Sequence, residues 1–241
     1  MKNIDLLISC LAREIKNKDV VFLGVVSPIP LLAIGLAKYT HAPDLIFINS
    51  LGAVDPEIKF SVSSETVNLS ETNKRIKLHE IYDIAQKGML DITFFSGAQV
   101  DSSGNINLSV IGDYKEPKVR LPGGAGSPVL IRLAKKSIIL CKDHDKRKLS
   151  DKLFFTTSSG NPDKKRFGRS EKIITGKCIF ELGENGAVLE SIHQGESIED
   201  IQKNTGFEFK IPKKIKYTEK ITEKEKLILD KIDPDQERYS L

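Results

Sequence analysis

Two hydrophobic patterns alternate along the first two thirds of this chain. Apolar residues recur at helical spacing in residues 4–17, 30–40 and 77–90, which predicts three helices facing a core. Continuous apolar runs, typical of strands covered on both faces, lie between and after them. We predict strands at 19–26, 42–50, 91–97, 135–141 and 151–159. Such alternation favours a mostly parallel sheet with right-handed crossovers.

The pattern changes after residue 170. The segments "KIITGKCIFEL" and "AVLESIHQ" flank "GENG", whose composition is typical of a hairpin turn. "SIEDIQKNTG" predicts a short helix with Ser197 as its N-cap, and a last helix is predicted at about 221–232. We therefore expect an α/β fold with an open, mostly parallel sheet. We expect a single domain, 1–241, in which about 171–241 forms a hairpin-and-helix appendage.

Composition narrows the class of protein. Of the 241 residues, 39% are hydrophobic and 29% are charged, which is ordinary for a soluble domain. No apolar run approaches the roughly 18 residues that span a bilayer, and charged residues interrupt the first helix, so we expect neither membrane association nor a signal peptide. Cys10, Cys141 and Cys178 lie far apart and the four histidines are scattered. We predict no metal, no disulfide and a cytoplasmic location.

The net charge of +4 is concentrated near residues 142–172. A solvated basic face is the simplest interpretation. Nucleic-acid binding is disfavoured because aromatic residues do not interleave the run and no motif accompanies it. A modest basic bias would also suit a phosphorylated small ligand. We predict no nucleic-acid partner.

Three glycine-bearing segments follow predicted strands: "GVVSPIP", "SGAQVDSSGNIN" and "IGDYKEPKVRLPGGAGSP". In the third, Gly123, Gly124 and Gly126 place bare backbone side by side before a predicted helix. Such a loop can offer N–H groups to an oxyanion and lets a bulky ligand approach the main chain. A flexible surface loop is the alternative interpretation, because the segment is neither a P-loop nor G-x-G-x-x-G.

The stretch "FFSGAQVDSSGNINLSVIGDYKEPKVRLPGGAGSP" resembles the core of the B (beta) subunit of family I coenzyme A-transferases, especially the glutaconate CoA-transferase type. Three further matches occur in the family's order: "LAKYTHAPDLIFINS", "FELGENGAVLESIHQGESIEDIQKNTGFEF" and "IDPDQ". The resemblance therefore covers nearly the whole chain.

The resemblance implies an open α/β fold of the CoA-transferase and ribose-phosphate isomerase kind. It also implies a hetero-oligomer of A and B subunits with the active site between them. The substrate would be an acyl-CoA thioester, with no permanently bound cofactor, and a glutamate of the B chain would attack the thioester. The matching oxyanion loop is Gly123, Gly124 and Ala125. The positions predicted to bind substrate or CoA are Asn49, Gly97, Ala98, Gln99 and Asn107.

The chain departs from the family pattern at the end of the second strand. Alignment on "APD" and the hydrophobic run after it places Ser50 where the family has its glutamate, and residues 46–54 contain no acid. Asp55 and Glu57 follow and could turn into a site, although neither matches the motif. The "ENG" at Glu184 belongs to the predicted hairpin turn, so we interpret it as structural.

A nucleophilic Ser50 would need a nearby base, and the local sequence provides no histidine. Ser50 is better explained as a small residue that ends the strand or leaves room for substrate. Three functions remain open. The first is CoA transfer between carboxylic acids, and the second is hydrolysis of a thioester or ring in the same family, with the acid or base supplied by the A subunit. The third is a non-catalytic CoA-binding or metabolite-binding module.

Overall fold

The computed structural model describes residues 4–62, 72, 74–160 and 168–241. Part of the predicted basic face, residues 161–167, lies outside this range. The chain divides into two compact units, Met1–Phe94 with Lys220–Leu241 and Phe95–Glu219. The expectation of a single domain stays a prediction.

In chain order, the α-helices of the described residues are α1 (Ile4–Arg13), α2 (Pro28–Thr40), α3 (Leu78–Gln86), α4 (Ser127–Leu133), α5 (Ile198–Asn204) and α6 (Glu223–Ile232), and a 3₁₀ helix follows at Glu237–Ser240. The strands are β1 (Val20–Leu23), β2 (Ile46–Asn49), β3 (Ile92–Phe95), β4 (Gln99–Val100), β5 (Ile106–Asn107), β6 (Val110–Gly112), β7 (Pro117–Arg120), β8 (Lys136–Cys141), β9 (Ser170–Thr175), β10 (Cys178–Gly183), β11 (Gly186–Ile192) and β12 (Phe209–Lys210). Among the described residues, no helix combines the length and apolarity required to cross a bilayer.

The first unit is built around three parallel strands. β1 lies between β2 and β3, and its register places Leu23 beside Asn49. The carboxyl ends of β1 and β2 therefore meet at one edge. Helix α2 is buried along most of its length because its sequence is apolar on all sides. A Cβ at Gly35 would lie 2.8 Å from Ile58 and 2.9 Å from Ile232, so this glycine permits close packing against α6.

The second unit contains a mixed sheet. Strand β9 runs parallel to β8 and antiparallel to β10, β10 pairs antiparallel with β11, and β12 runs parallel to β11. Two short antiparallel pairs, β4 with β5 and β6 with β7, lie outside that sheet. The side chain of Phe180 packs edge-on against Phe207 and Phe209 in the core.

The predicted α/β class and its largely parallel strand pairing are confirmed. The late hairpin is confirmed as β10 and β11, closed by Gly183 opposite Gly186. The helix after it is capped as predicted, because Ser197 Oγ accepts a hydrogen bond from the backbone N–H of Asp200. The last helix begins after Thr222, which forms a reciprocal capping box with Glu225.

Two strand predictions differ from the structure. Residues 151–159 form no strand, and only Ser158 makes an isolated bridge, to Ile106. The prediction of a buried strand was wrong because the side chain of Phe154 is 56% exposed and does not face a core. The segment "KIITGKCIFEL" is divided between β9 and β10. The chain turns at Gly176, where a Cβ would lie 2.5 Å from the carbonyl oxygen of Lys142.

Candidate active-site segments

The end of strand β2 is a rigid turn organised by Asn49. The side chain of Asn49 is fully buried. Its Oδ1 accepts hydrogen bonds from the backbone N–H groups of Leu51 at 3.1 Å and Ala53 at 2.9 Å. Gly52 has φ +80°, and a Cβ there would lie 1.9 Å from the carbonyl oxygen of Ile76. The predicted ligand-binding residue Asn49 therefore uses its side-chain oxygen to build the turn.

Ser50 and Leu51 lie within this turn, and their side chains are partly accessible to solvent. Ser50 is half-buried, and Leu51 is 48% exposed. Neither side chain is an acid or a base, so the turn carries no carboxylate at the position where the resemblance implies the family glutamate.

The two acids that follow the turn are engaged elsewhere in the first unit. Asp55 has φ +50°, and its Oδ1 accepts hydrogen bonds from Lys38 Nζ at 2.7 Å and from the backbone N–H of Phe47 at 3.0 Å. Its carboxylate is thus directed back along β2. Glu57 forms an ion pair of 2.9 Å with Lys59. These contacts support a structural role for Asp55.

In the second unit, the structure brings the predicted residues 97–99 and 107 together. Strands β4 and β5 pair so that Gln99 lies opposite Asn107, and the backbone N–H of Ala98 donates to the carbonyl oxygen of Asn107 at 2.9 Å. Gly97 is required by this approach, because a Cβ there would lie 2.3 Å from Ile106 Cγ2. Asn49 and Ser50, by contrast, belong to the first unit.

The side chain of Asn107 is completely buried and completely hydrogen-bonded. Its Nδ2 donates to Gln99 Oε1 at 2.8 Å and to the carbonyl oxygen of Val110 at 2.7 Å. Its Oδ1 accepts from the backbone N–H groups of Ser109 at 3.0 Å and Val110 at 3.3 Å. These four bonds use the amide's full capacity. Direct binding of a ligand by this side chain would require one of them to break.

The glycine loop presents two adjacent backbone donors. The N–H of Gly123 already donates to the carbonyl oxygen of Leu108 at 2.8 Å, so Gly123 contributes its backbone conformation, with φ +92°. In the described part of the chain, the N–H groups of Gly124 and Ala125 meet no acceptor. Ala125 is held at φ +43°, a conformation that is uncommon outside glycine and often occurs at functional sites. Of the three predicted oxyanion residues, Gly124 and Ala125 therefore offer the donors.

Residues that sequence reasoning missed support this loop. A Cβ at Gly124 would lie 2.6 Å from Thr157 Cγ2, and Thr157 Oγ1 accepts a hydrogen bond from the backbone N–H of Leu108 at 2.8 Å. Ser127 Oγ donates to the carbonyl oxygen of Gly124 at 2.7 Å and pairs with Ser158 Oγ at 2.8 Å. Their sequence carries no signal for this role, because the segment around Thr157 and Ser158 has the pattern of a strand.

Burial keeps three other reactive side chains of the second unit in their uncharged forms at neutral pH. Burial raises the pKa of both Cys141 and Cys178 to about 12, so both thiols stay protonated at neutral pH. Burial also lowers the pKa of His144 to about 4. The described residues contain no group of three or more His, Cys, Asp or Glu side chains placed to hold a metal ion.

The alternating strands and helices define an α/β protein, and its second unit presents the adjacent N–H donors of Gly124 and Ala125. The coenzyme A transferase family matches residues 5–204, and the chain belongs to that family. The predicted resemblance to the family's B-type chains is confirmed by two relatives. The chain is 37% identical over 229 residues to the B chain of 3-oxoadipate CoA-transferase from Pseudomonas knackmussii, covering 89% of this chain and 86% of that protein.

The second relative is the B chain of glutaconate CoA-transferase from Acidaminococcus fermentans, 30% identical over 244 residues, with 94% and 90% of the two chains covered.

Solved structures support the same family assignment. The decarboxylase AibA/AibB matches with a TM-score of 0.90 at 31% identity, covering 99% of this chain and 97% of that one. Glutaconate coenzyme A-transferase from A. fermentans matches with a TM-score of 0.86 at 26% identity, covering 98% and 96%. The chain is thus a B-type subunit of a coenzyme A transferase family enzyme.

Proposed function

We propose that this chain pairs with an A subunit in a hetero-oligomer and acts on the CoA thioester of a short dicarboxylic acid. The substrate class is supported by the two relatives, whose names specify 3-oxoadipate and glutaconate. The CoA thioester is then a substrate, and no permanently bound cofactor is proposed. The buried thiols of Cys10, Cys141 and Cys178 form no disulfide and suit a reducing cytoplasm.

The paired N–H groups of Gly124 and Ala125 carry this proposal. Attack on a thioester carbonyl places negative charge on its oxygen, and two fixed backbone donors can stabilise that charge. Loss of one such donor costs other enzymes about 3–4 kcal/mol in the transition state. The loop is suited to this task because Ser127 Oγ donates to the carbonyl oxygen of Gly124, and the N–H of Gly123 donates to Leu108, whose own N–H is held by Thr157 Oγ1.

CoA transfer between carboxylic acids is the first reaction to test, because both relatives are named for it. In the scheme that the resemblance implies, a carboxylate of the B-type chain carries the acyl group and then CoA. The turn after β2 offers Ser50 instead, and Asp55 is paired with Lys38.

That observation favours a second candidate, in which the acyl-CoA reacts without a covalent intermediate on this chain. The products would be those of decarboxylation or hydrolysis. The similarity to the decarboxylase AibA/AibB supports this candidate.

The two candidates can be separated with the chain co-expressed with its A subunit. The complex is given glutaconyl-CoA or 3-oxoadipyl-CoA, with and without acetate as acceptor. Acetyl-CoA, carbon dioxide and free CoA are quantified, and the intact mass of this chain is recorded during turnover. Acetate-dependent acetyl-CoA with a CoA adduct on this chain would establish transfer. Carbon dioxide or free CoA formed without acceptor would establish the second candidate.

A designed variant sharpens the comparison. Ser50→Glu places a carboxylate at the family position, and Leu51→Glu places the same charge one residue away as a matched control. We expect only Ser50→Glu to accumulate a CoA adduct that borohydride reduces. If the wild-type complex neither binds nor converts either thioester, this proposal is wrong, whereas binding without turnover would indicate the non-catalytic module.

A further inference from the structure

The β6–β7 hairpin of the second unit is exposed on both faces. Lys118, Val119 and Arg120 are three consecutive exposed residues of β7. Successive side chains of a strand point to opposite faces, so the described residues bury neither face of this strand. The hairpin is a two-stranded sheet separate from the main one, and such a hairpin is marginally stable in water unless another element packs on it. Its exposure is therefore that of an element which packs on another chain.

The exposed surface of the hairpin is rich in apolar and aromatic side chains. Val119 is 49% exposed and lies opposite Ile111 in the ladder, so an apolar cross-strand pair meets solvent. At the tip, Tyr114 is 54% exposed and its ring stacks on that of Phe155, with 4.9 Å between the centroids. The guanidinium of Arg120 lies 5.0 Å from the centroid of the Tyr114 ring. Aromatic residues and arginine are the side chains most enriched at the centres of protein–protein interfaces.

The hairpin also carries cations without partners. Lys115, Lys118 and Arg120 form no ion pair with the described residues, and cations outnumber acids by three to two in residues 113–120. Of its five N–H donors, Arg120 uses one, which donates to the carbonyl oxygen of Tyr114 at 3.2 Å. The exposed guanidinium can therefore pair with a carboxylate of another chain. In charge and polarity, the hairpin is complementary to an apolar protein surface that carries carboxylates.

The pairing of the hairpin continues directly into the glycine loop. The backbone N–H of Leu121 donates to the carbonyl oxygen of Ser109 at 3.0 Å, and that of Gly123 donates to Leu108 at 2.8 Å. These two bonds extend the β6–β7 ladder as far as the N–H donors of the loop. A protein bound to the hairpin would therefore border the candidate oxyanion site.

We propose that the β6–β7 hairpin, together with Phe155, is a docking surface for the A subunit, and that Tyr114, Val119 and Arg120 make its main contacts. The inference rests on the proposed function, in which an A subunit pairs with this chain. The A subunit is the occupant that fits, because a partner seated on the hairpin encloses the thioester at the glycine loop between two chains. The surface that it presents is apolar and includes a carboxylate that pairs with Arg120.

The first test is Val119→Glu in the chain co-expressed with its A subunit. Mass photometry over a dilution series gives the dissociation constant of the two subunits. We expect it to rise by about 30-fold or more, because a carboxylate would replace an apolar contact at the centre of the interface. Leu227→Glu, on α6, makes the same change at a side chain that is 70% exposed and should shift the constant by less than about 3-fold. An unchanged constant in folded Val119→Glu would overturn the inference.

Arg120→Glu tests the charge of the surface. We expect the dissociation constant of the subunits to rise by about 10-fold at low salt and by less at high salt, since salt screens the new repulsion. Arg147→Glu is the matched control, because that side chain is 94% exposed and lies outside the hairpin. If Arg120→Glu weakens the binding of glutaconyl-CoA but not the association of the subunits, the hairpin contacts the substrate and the docking role is wrong.

A measurement on the wild-type complex covers the case in which a variant fails to fold. Hydroxyl-radical labelling compares Tyr114 with Tyr217, which is 65% exposed and lies outside the hairpin. We expect labelling of Tyr114 to be about 10-fold slower than that of Tyr217, because interface contacts of this kind exclude water. Similar labelling of the two tyrosines would overturn the inference. Failure of the wild-type chain to associate with its A subunit would instead refute the proposed function.

Discussion

Lys38 Nζ lies 2.7 Å from Asp55 Oδ1, and this ion pair connects helix α2 to the residues that follow strand β2. The same carboxylate oxygen accepts a hydrogen bond from the backbone N–H of Phe47. The first acid after Ser50 is thereby committed to the local structure. The two side chains are 25% and 30% exposed, so solvent screens the pair and its contribution to stability is modest.

Asp55→Asn should leave catalysis nearly intact. The amide oxygen can still accept from Phe47, while the charge that pairs with Lys38 is lost. We expect the free energy of unfolding to fall by about 1 kcal/mol or less, with kcat within a few-fold of wild type. Urea denaturation and steady-state kinetics check both, with Glu57→Gln as the control. A kcat loss above about a thousand-fold in a folded variant would identify Asp55 as a catalytic carboxylate.

Ser50→Ala should reduce kcat/KM by less than about 10-fold. A small residue that makes room for substrate loses little when its hydroxyl is removed, whereas removal of a nucleophile costs about 10⁴-fold or more. Rates with glutaconyl-CoA, measured beside Leu51→Ala, distinguish the two. A loss of the larger size at Ser50 alone would show that its hydroxyl takes part in the chemistry.

Gly124→Ala should lower kcat by about 10²- to 10³-fold with a smaller change in KM, because the N–H donors act on the transition state. The added Cβ would lie 2.6 Å from Thr157 Cγ2 and would displace the loop. Gly183→Ala, in the late hairpin, is the matched control because the nearest atom to its Cβ would be 3.9 Å away. Equal kinetics for the two folded variants would remove the glycine loop from the mechanism.

Acid should destabilise the second unit through His144. This side chain is buried, bonded to Thr175 and Thr205, and burial lowers its pKa to about 4 from 6.5. Between these values the unfolded chain binds a proton that the folded chain does not. The stabilisation is therefore complete above pH 6.5 and is lost as the pH falls towards 4, by about 3 kcal/mol in all. Burial lowers the pKa of His193 as well, which acts in the same direction.

Urea denaturation between about pH 7.5 and pH 4.5 measures this dependence. His144→Gln removes the titrating group, so we expect its unfolding free energy to change less steeply over that range. The comparison of slopes does not require the variant to be as stable as wild type. Identical slopes for the two proteins would contradict the assignment.

Much of the fold was predictable because its signals are local. The continuous apolar runs of β1 and β2, the turn residues of the late hairpin and the cap at Ser197 express short-range preferences. The prediction failed at 151–159, where exposed Phe154 and Phe155 imitated a buried strand. An apolar run specifies hydrophobicity, but only packing decides whether the run is buried.

The sequence by itself determined the α/β class, the family, the glycine loop and the absence of an acid at Ser50, because each is a matter of residue identity and spacing. Only the tertiary structure decided which groups are chemically available. In the folded chain, Asp55 pairs with Lys38, and the N–H of Gly123 donates to the carbonyl oxygen of Leu108. Every hydrogen-bonding group of the Asn107 side chain is used, and the amide of Gln99 is held in one orientation. Apart from the bonds of Asn107 to Ser109 and Val110, these outcomes depend on hydrogen bonds between residues at least 8 positions apart, and such bonds have no local pattern in a sequence.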